Sequence, residues 1–164
     1  MRLNLFLLFI CFSFFAQGQK KVTNGDFDNM LQGLLSHSVT EVTPKECSST
    51  EVIFLDAREL EEFKVSHIPN ATWVGYDTFK LKNVESISKD SKIVVYCTVG
   101  YRSEKISEKL IKAGYSDVSN LYGGIFEWMH TGNKVMDHSV TKNVHTYDKE
   151  WSQWLIEGTG NKIY

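Results

Sequence analysis

Ile93-Val94-Val95-Tyr96-Cys97-Thr98-Val99-Gly100-Tyr101-Arg102-Ser103 decides how this chain is read. Ile93–Tyr96 is a short, unbroken apolar run rich in β-branched residues, the pattern of a strand buried on both faces. A loop containing Gly100 follows, and Ser103 to Ala113 then takes up helical spacing. That spacing predicts Ile106, Leu110 and Ile111 facing inward, Glu108 paired with Lys112 at i,i+4, and a stop at Gly114. Strand, tight loop and helix thus follow one another with nothing to spare.

The same alternation extends in both directions. Val52–Leu55, Ala71–Val74 and Val118–Leu121 read as further strands, and Glu59–Val65 as a helix. Phe79–Ile87 is loosely helical, and Gly123-Gly124 leads into a helical turn through Trp128. Apolar strands alternating with helices imply a mainly parallel sheet covered on both faces, an α/β fold. Towards the N-terminus, Phe27, Met30, Leu31, Leu34 and Leu35 fall on one face of a short helix. Thr43-Pro44-Lys45-Glu46 has the form of a capping box and opens a helix bearing Cys47. Past residue 134 the rhythm stops. Trp151, Trp154 and Leu155 there form one face of a short helix starting near Asp148, expected to pack on the domain.

With 164 residues, 42% hydrophobic and only 2 prolines, the chain suits one globular domain. Its 18 basic residues do not outnumber its 20 acidic ones, and the net charge of −2 speaks against a nucleic-acid partner. Residues 1–18 have the layout of an export leader: Arg2, an apolar run from Leu5 to Phe15, then Ala16-Gln17-Gly18. The run is too short to span a bilayer. The expected product is therefore exported, periplasmic or secreted, without stable membrane insertion after cleavage. Cys47 and Cys97 are the thiols that remain, no C-x-x-C is present, and the five histidines are not spaced as metal ligands, so no metal is expected.

Chemistry is expected where the central strand ends, because ligands of open parallel sheets bind beyond the carboxyl ends of the strands. Cys97 stands at such an end, ahead of a helix N-terminus. Inward-pointing loop N–H groups and the helix dipole would both favour thiolate over thiol. Arg102, a cation at the positive end of a helix, makes sense where an anion offsets it.

Together, these stretches resemble the rhodanese-like family. The resemblance rests on Leu55-Asp56-Ala57-Arg58-Glu59 with Glu62-Phe63, on His67-Ile68-Pro69-Asn70-Ala71, on Val95–Ser103, and on Leu121-Tyr122-Gly123-Gly124 with Trp128. Ser66 and Asn70 stand where the family usually has glycine. The resemblance implies a three-layer α/β/α domain with a five-stranded, largely parallel sheet over residues 38–134. A helical lead-in (19–37) precedes it and a packed extension (135–164) follows. It also implies a sulfurtransferase of the thiosulfate type. Cys97 would be the nucleophile, carrying sulfane sulfur as a persulfide without any further cofactor. Thr98, Val99, Gly100, Tyr101, Arg102 and Ser103 would bind substrate, and Asp56 and Arg58 would brace the loop. Its partners would be a small sulfane-sulfur donor, a thiol or cyanide acceptor and, as a further class, a protein thiol. The alternatives are a sulfur carrier without turnover, a thiol-redox module in which Cys47 resolves an oxidised Cys97, and a phosphatase or arsenate reductase. The last would need one more residue between cysteine and arginine. His67 belongs to a turn motif rather than to the chemistry.

Overall fold

Thr40–Val42 (β1), Ile53–Asp56 (β2), Thr72–Trp73 (β3), Lys92–Tyr96 (β4) and Asp117–Leu121 (β5) form one sheet in the order β1-β5-β4-β2-β3. Every neighbouring pair is parallel. This computed structural model describes residues 22–47 and 51–164, so the segment read as an export leader lies outside the described residues. The helices are Gly25–Leu34 (α1), Pro44–Cys47 (α2), Leu60–Val65 (α3), Tyr101–Lys112 (α4) and Gly124–His130 (α5). The five-stranded parallel α/β architecture is the one expected from the alternating strands and helices.

Alternation along β4 sorts the core into two layers. Ile93, Val95 and Cys97 pack with Ile106 and Leu110 of α4, while Val94 and Tyr96 pack with Phe27 and Leu31 of α1 and with Ile125 and Phe126 of α5. Asn24 caps α1, its side chain accepting from the N–H groups of Asp26 and Phe27 at 2.8 and 3.2 Å. At α2, the Glu46 carboxylate reaches back to the Thr43 N–H and hydroxyl, both at 2.7 Å.

Three local expectations need correction, all for geometric reasons. Helix α4 begins at Tyr101 rather than Ser103, which places Arg102 inside its first turn. Its buried residues are Ser103, Glu104, Ile106, Ser107 and Leu110, whereas Ile111 is 45% exposed, one helical step further round. Hydropathy alone discounted the two serines. Glu108 meets Lys105 at 2.7 Å and also accepts from the Ser38 hydroxyl at 2.6 Å, so its ion pair runs towards the N-terminus of α4 rather than to Lys112.

Beyond α5 the chain adds two small sheets that no periodicity announced, because each strand is only two or three residues long. Val135–Met136 (β6) pairs antiparallel with Val140–Thr141 (β7), and Asn143–His145 (β8) pairs parallel with Asn161–Ile163 (β9). Trp151–Trp154 is a single 3-10 turn; the Trp154 ring stacks on Phe27 at 5.9 Å, and Leu155 and Val144 are buried beside α1 and α5. One buried dyad ties this segment down. Glu127 accepts from Thr23 N–H and Oγ1 at 2.8 and 2.6 Å and bonds His130 Nδ1 at 3.0 Å, while His130 Nε2 accepts from Ile156 N–H at 3.1 Å.

The register of α4 is directly measurable. Leu110→Ala is expected to cost about 2–5 kcal/mol in denaturant unfolding, and Ile111→Ala less than about 0.5 kcal/mol. Equal losses would place Ile111 in the core.

Candidate active site

Cys97 continues β4 by one residue and ends at the floor of a cavity, itself only 1% exposed. Its loop is held from two sides. Behind it, the first turn of α5 donates Ile125 N–H to the Cys97 carbonyl at 2.9 Å and Phe126 N–H to the Thr98 carbonyl at 3.3 Å. Ahead of it, Gly100, at φ +129°, donates its N–H to Cys97 Sγ at 3.1 Å. Ser103 Oγ lies 3.5 Å from the sulfur, but its one proton goes to Asn120 Oδ1 at 2.7 Å, the shortest of its contacts. Asn120 in turn donates Nδ2–H to the Gly100 carbonyl at 3.0 Å. Ser103 therefore turns a lone pair towards Cys97, placed to accept a hydrogen bond from the thiol.

Arg102 has a partner that sequence reading did not assign. Its guanidinium bonds both oxygens of Glu62 on α3, at 2.7 and 2.8 Å, and the Thr98 hydroxyl at 2.9 Å. Glu62 also accepts from Thr98 Oγ1 at 3.0 Å and from the Glu59 N–H at 2.9 Å. Burial alone would raise the Glu62 carboxyl, but the hydrogen bonds and charge of Arg102, helped by Arg58, hold it below the usual carboxylate range. The anion that offsets the cation at the start of α4 is thus the chain's own.

Asp56 and Arg58, expected as braces, form a fully buried pair. Arg58 reaches Asp56 through Nη2 at 2.6 Å and Nε at 3.0 Å, and Nη2 also donates to the Ser66 carbonyl at 2.6 Å. The end of β2 is thereby fastened to the end of α3, the helix that carries Glu62. His67 stays in its turn, stacked 4.0 Å from Phe63 and hydrogen-bonded to the Phe63 carbonyl. Cys47 lies in the other core layer, donates to the Thr43 carbonyl at 3.4 Å, and has its thiol pushed up to about 11 by burial. A buried thiol in the core layer opposite Cys97, held protonated, is not placed to resolve an oxidised Cys97, which argues against the redox role of Cys47. Among the described residues no group of three His, Cys, Asp or Glu side chains is placed to hold a metal ion.

The cavity over Cys97 measures about 490 Å³, within the range that encloses small organic ligands. Thr98, Val99, Tyr101 and Arg102 line it, as does Leu34 from the N-terminal helix. Tyr76 and Asp77 come from the segment after β3, and Glu59 from the start of α3. Tyr147 and Trp151 come from the C-terminal segment. Gly100 and Ser103 serve the loop from below without lining the cavity. Sequence reading assigned Tyr76 and Tyr147 no role, because an aromatic residue in an aperiodic segment carries no local sign of what it faces; Trp151 was expected only to pack, and the 3-10 turn brings it to the cavity as well. It also left Glu62, Asn120 and Gly124 without their roles.

Two consequences are measurable. A Cβ on Gly124 would stand 2.4 Å from the Cys97 carbonyl oxygen and 2.6 Å from that of Thr98, at φ +57°. Gly124→Ala is expected to lose about 2–4 kcal/mol of stability and to disorder the Cys97 loop, seen as faster hydrogen exchange at residues 97–100. The stabilisation from Glu62 is present above its unfolded value of about 4.3 and is lost as pH falls through its lower folded value. Glu62→Gln should thus be about 1–3 kcal/mol less stable at pH 7, with the gap closing under acid. A gap independent of pH would sink the ion-pair account.

The model of the rhodanese-like domain matches residues 41–131. A tRNA uridine(34) hydroxylase of Hamiltonella defensa is 34% identical over 133 residues, covering 77% of this chain and 36% of that protein. One from Buchnera aphidicola is 40% identical over 92 residues, covering 53% of this chain and 30% of that protein. The chain spans about a third of the length of these curated relatives. Among solved structures, a rhodanese-like domain protein from Staphylococcus aureus superposes with a TM-score of 0.50 at 29% identity, over 62% of this chain and 95% of that one. A thiosulfate sulfurtransferase from Pseudomonas aeruginosa, with a TM-score of 0.56 over 62% of this chain and 21% of that one, is 22% identical and shares the fold alone.

The relatives' names, tRNA uridine(34) hydroxylase, overturn two expectations: that of a sulfurtransferase of the thiosulfate type moving sulfur through a Cys97 persulfide, and that of a chain without a nucleic-acid partner. The second rested on net charge alone, which averages over the whole surface and says nothing of one local site. With four ordered sequence motifs, the five-stranded parallel sheet and a matched span of residues 41–131, the chain belongs to the rhodanese-like domain family.

Proposed function

We propose that this chain is a tRNA-modifying enzyme of the rhodanese-like family, in which Cys97 reacts with the base of a uridine. The observation that carries this reading is the position of Cys97 Sγ at the floor of a cavity lined by four aromatic side chains, Tyr76, Tyr101, Tyr147 and Trp151. An unpaired base splayed from its strand is held on aromatic faces. The relatives named for hydroxylating tRNA uridine supply the reaction class. C6 of uracil is the β-carbon of an unsaturated carbonyl system and accepts a thiolate, which leaves C5 electron-rich. An oxygen donor of the peroxide class, supplied from outside, would then be cleaved at C5 and release hydroxide. Loss of the C5 proton and departure of the Cys97 thiolate restore the ring. The Gly100 N–H, 3.1 Å from Sγ, is placed to stabilise the thiolate before attack and as it leaves. Lys109, whose Nζ lies 5.7 Å from the centre of the Tyr76 ring, sets positive charge beside the aromatic lining for a neighbouring phosphate.

The test is incubation of the chain with tRNA bearing unmodified uridine at position 34, with a peroxide-class donor and nucleoside mass spectrometry. A uridine one oxygen atom heavier is expected, reduced at least a hundredfold in Cys97→Ser. Absence of this product together with no retention of tRNA at low salt would overturn the reading. Cell fractionation is a second arm, because residues 1–18 have the layout of an export leader and tRNA is met in the cytoplasm. Quantitative recovery outside the cytoplasm would overturn the reading as well.

A further inference from the structure

Two of the four aromatic side chains around Cys97 come from outside the span that matches the rhodanese-like domain. Tyr147 and Trp151 both follow residue 131, where that match ends. Tyr147 is held in an uncommon way. Its backbone lies at φ +70°, a region that bulky residues avoid unless their surroundings enforce it. The surroundings do enforce it: the Tyr147 N–H donates to His145 Nδ1 at 3.1 Å. On either side, Thr146 N–H bonds the Ile163 carbonyl and Asp148 N–H bonds the Thr146 carbonyl, both at 2.9 Å. The result places the 52% exposed Tyr147 ring 5.1 Å from the Arg102 guanidinium carbon. The backbone of Trp151 is fixed by its main-chain N–H, which donates to Asp148 Oδ1 at 2.8 Å. Strain retained to hold a half-exposed ring at the mouth of a reactive-cysteine cavity marks that ring as part of the site.

We propose that the C-terminal segment, through Tyr147 and Trp151, selects flat unsaturated rings for reaction at Cys97. The inference rests on the cavity being the substrate site, as read above, and assigns ring recognition there to two residues outside the matched domain. Stacking on aromatic side chains is sequence-tolerant and discriminates by shape, so a planar ring is favoured over an aliphatic group of similar bulk.

A pair of thiol reagents with one warhead tests this without tRNA. N-phenylmaleimide and N-ethylmaleimide are compared by their rates of Cys97 labelling, read by peptide mass spectrometry and normalised to a free cysteine peptide. The intact chain is expected to prefer the phenyl reagent about fivefold or more beyond the peptide. Tyr147→Gly relieves the positive φ, so it should melt no lower than the parent while the preference falls towards that of the peptide. Tyr147→Phe should keep it, and Trp151→Ala should lower it. No preference in the parent, or one fully retained in Tyr147→Gly, overturns the proposal. Failure of the tRNA assay with the ring preference intact removes the tRNA reading alone. Loss of the preference with tRNA still turned over removes this assignment alone.

Discussion

The carbonyls of Cys97 and Thr98 point into the first turn of α5, and much of the site depends on that contact. A loop of successive residues can aim its N–H groups at a ligand only if its carbonyls are satisfied on the other side. Ile125 and Phe126 supply those donors, and Gly124 lies so close to the two carbonyls that no side chain fits between them. The Gly123-Gly124 pair after β5 is therefore part of the reactive loop, although many residues separate them in sequence. Helix α5 in turn is fixed by its core residues and by the Glu127–His130 dyad, which gathers Thr23 and Ile156 to the same place. The N-terminal lead-in and the C-terminal segment thus bear indirectly on the position of one sulfur atom.

A second fastening works from the opposite edge. The Asp56–Arg58 pair joins the end of β2 to the end of α3, and α3 presents Glu62 to Arg102. Removing one member of a fully buried pair leaves the other charge without compensation, so such a brace resists partial loosening. Thr98 belongs to both systems, its hydroxyl in the Glu62–Arg102 cluster and its carbonyl on α5. The loop is held between two layers of the molecule rather than resting on its own backbone.

What the sequence made legible follows from what has a period. Unbroken apolar strands and helical stripes are periodic, so the parallel sheet, its α/β layering and Cys97 at the end of β4 could all be read beforehand. Ile111 shows the limit: hydropathy placed it inward, while the helix turned Ser103 and Ser107 to the core instead. Glu62 was quoted within a motif, yet nothing local says that its carboxylate crosses to Arg102, because that pairing is made only when α3 and α4 come together. Tyr147 and Trp151 sit in a segment of short strands and one 3-10 turn, where residue type says little about direction. Elements are written locally, whereas a cavity is written by whichever side chains the fold brings to one point.

The Arg102–Glu62 pair bears on which substrates the cavity can favour. An arginine draws an anionic donor most strongly when no partner within the fold already balances its charge. Here the Glu62 carboxylate takes one nitrogen on each side, Thr98 takes a further bond, and the Tyr147 ring stands 5.1 Å from the guanidinium carbon. A small anion such as thiosulfate would meet a guanidinium whose charge a buried carboxylate already balances through two charge-assisted bonds. With Glu59 and Asp77 also lining the cavity, its mouth offers such an anion little net attraction. Beside these charged groups the cavity offers four aromatic side chains and one sulfur. The charge of Arg102 is thus largely balanced within the fold, and the faces of Tyr76, Tyr101, Tyr147 and Trp151 make up much of the surface that the cavity turns towards a ligand.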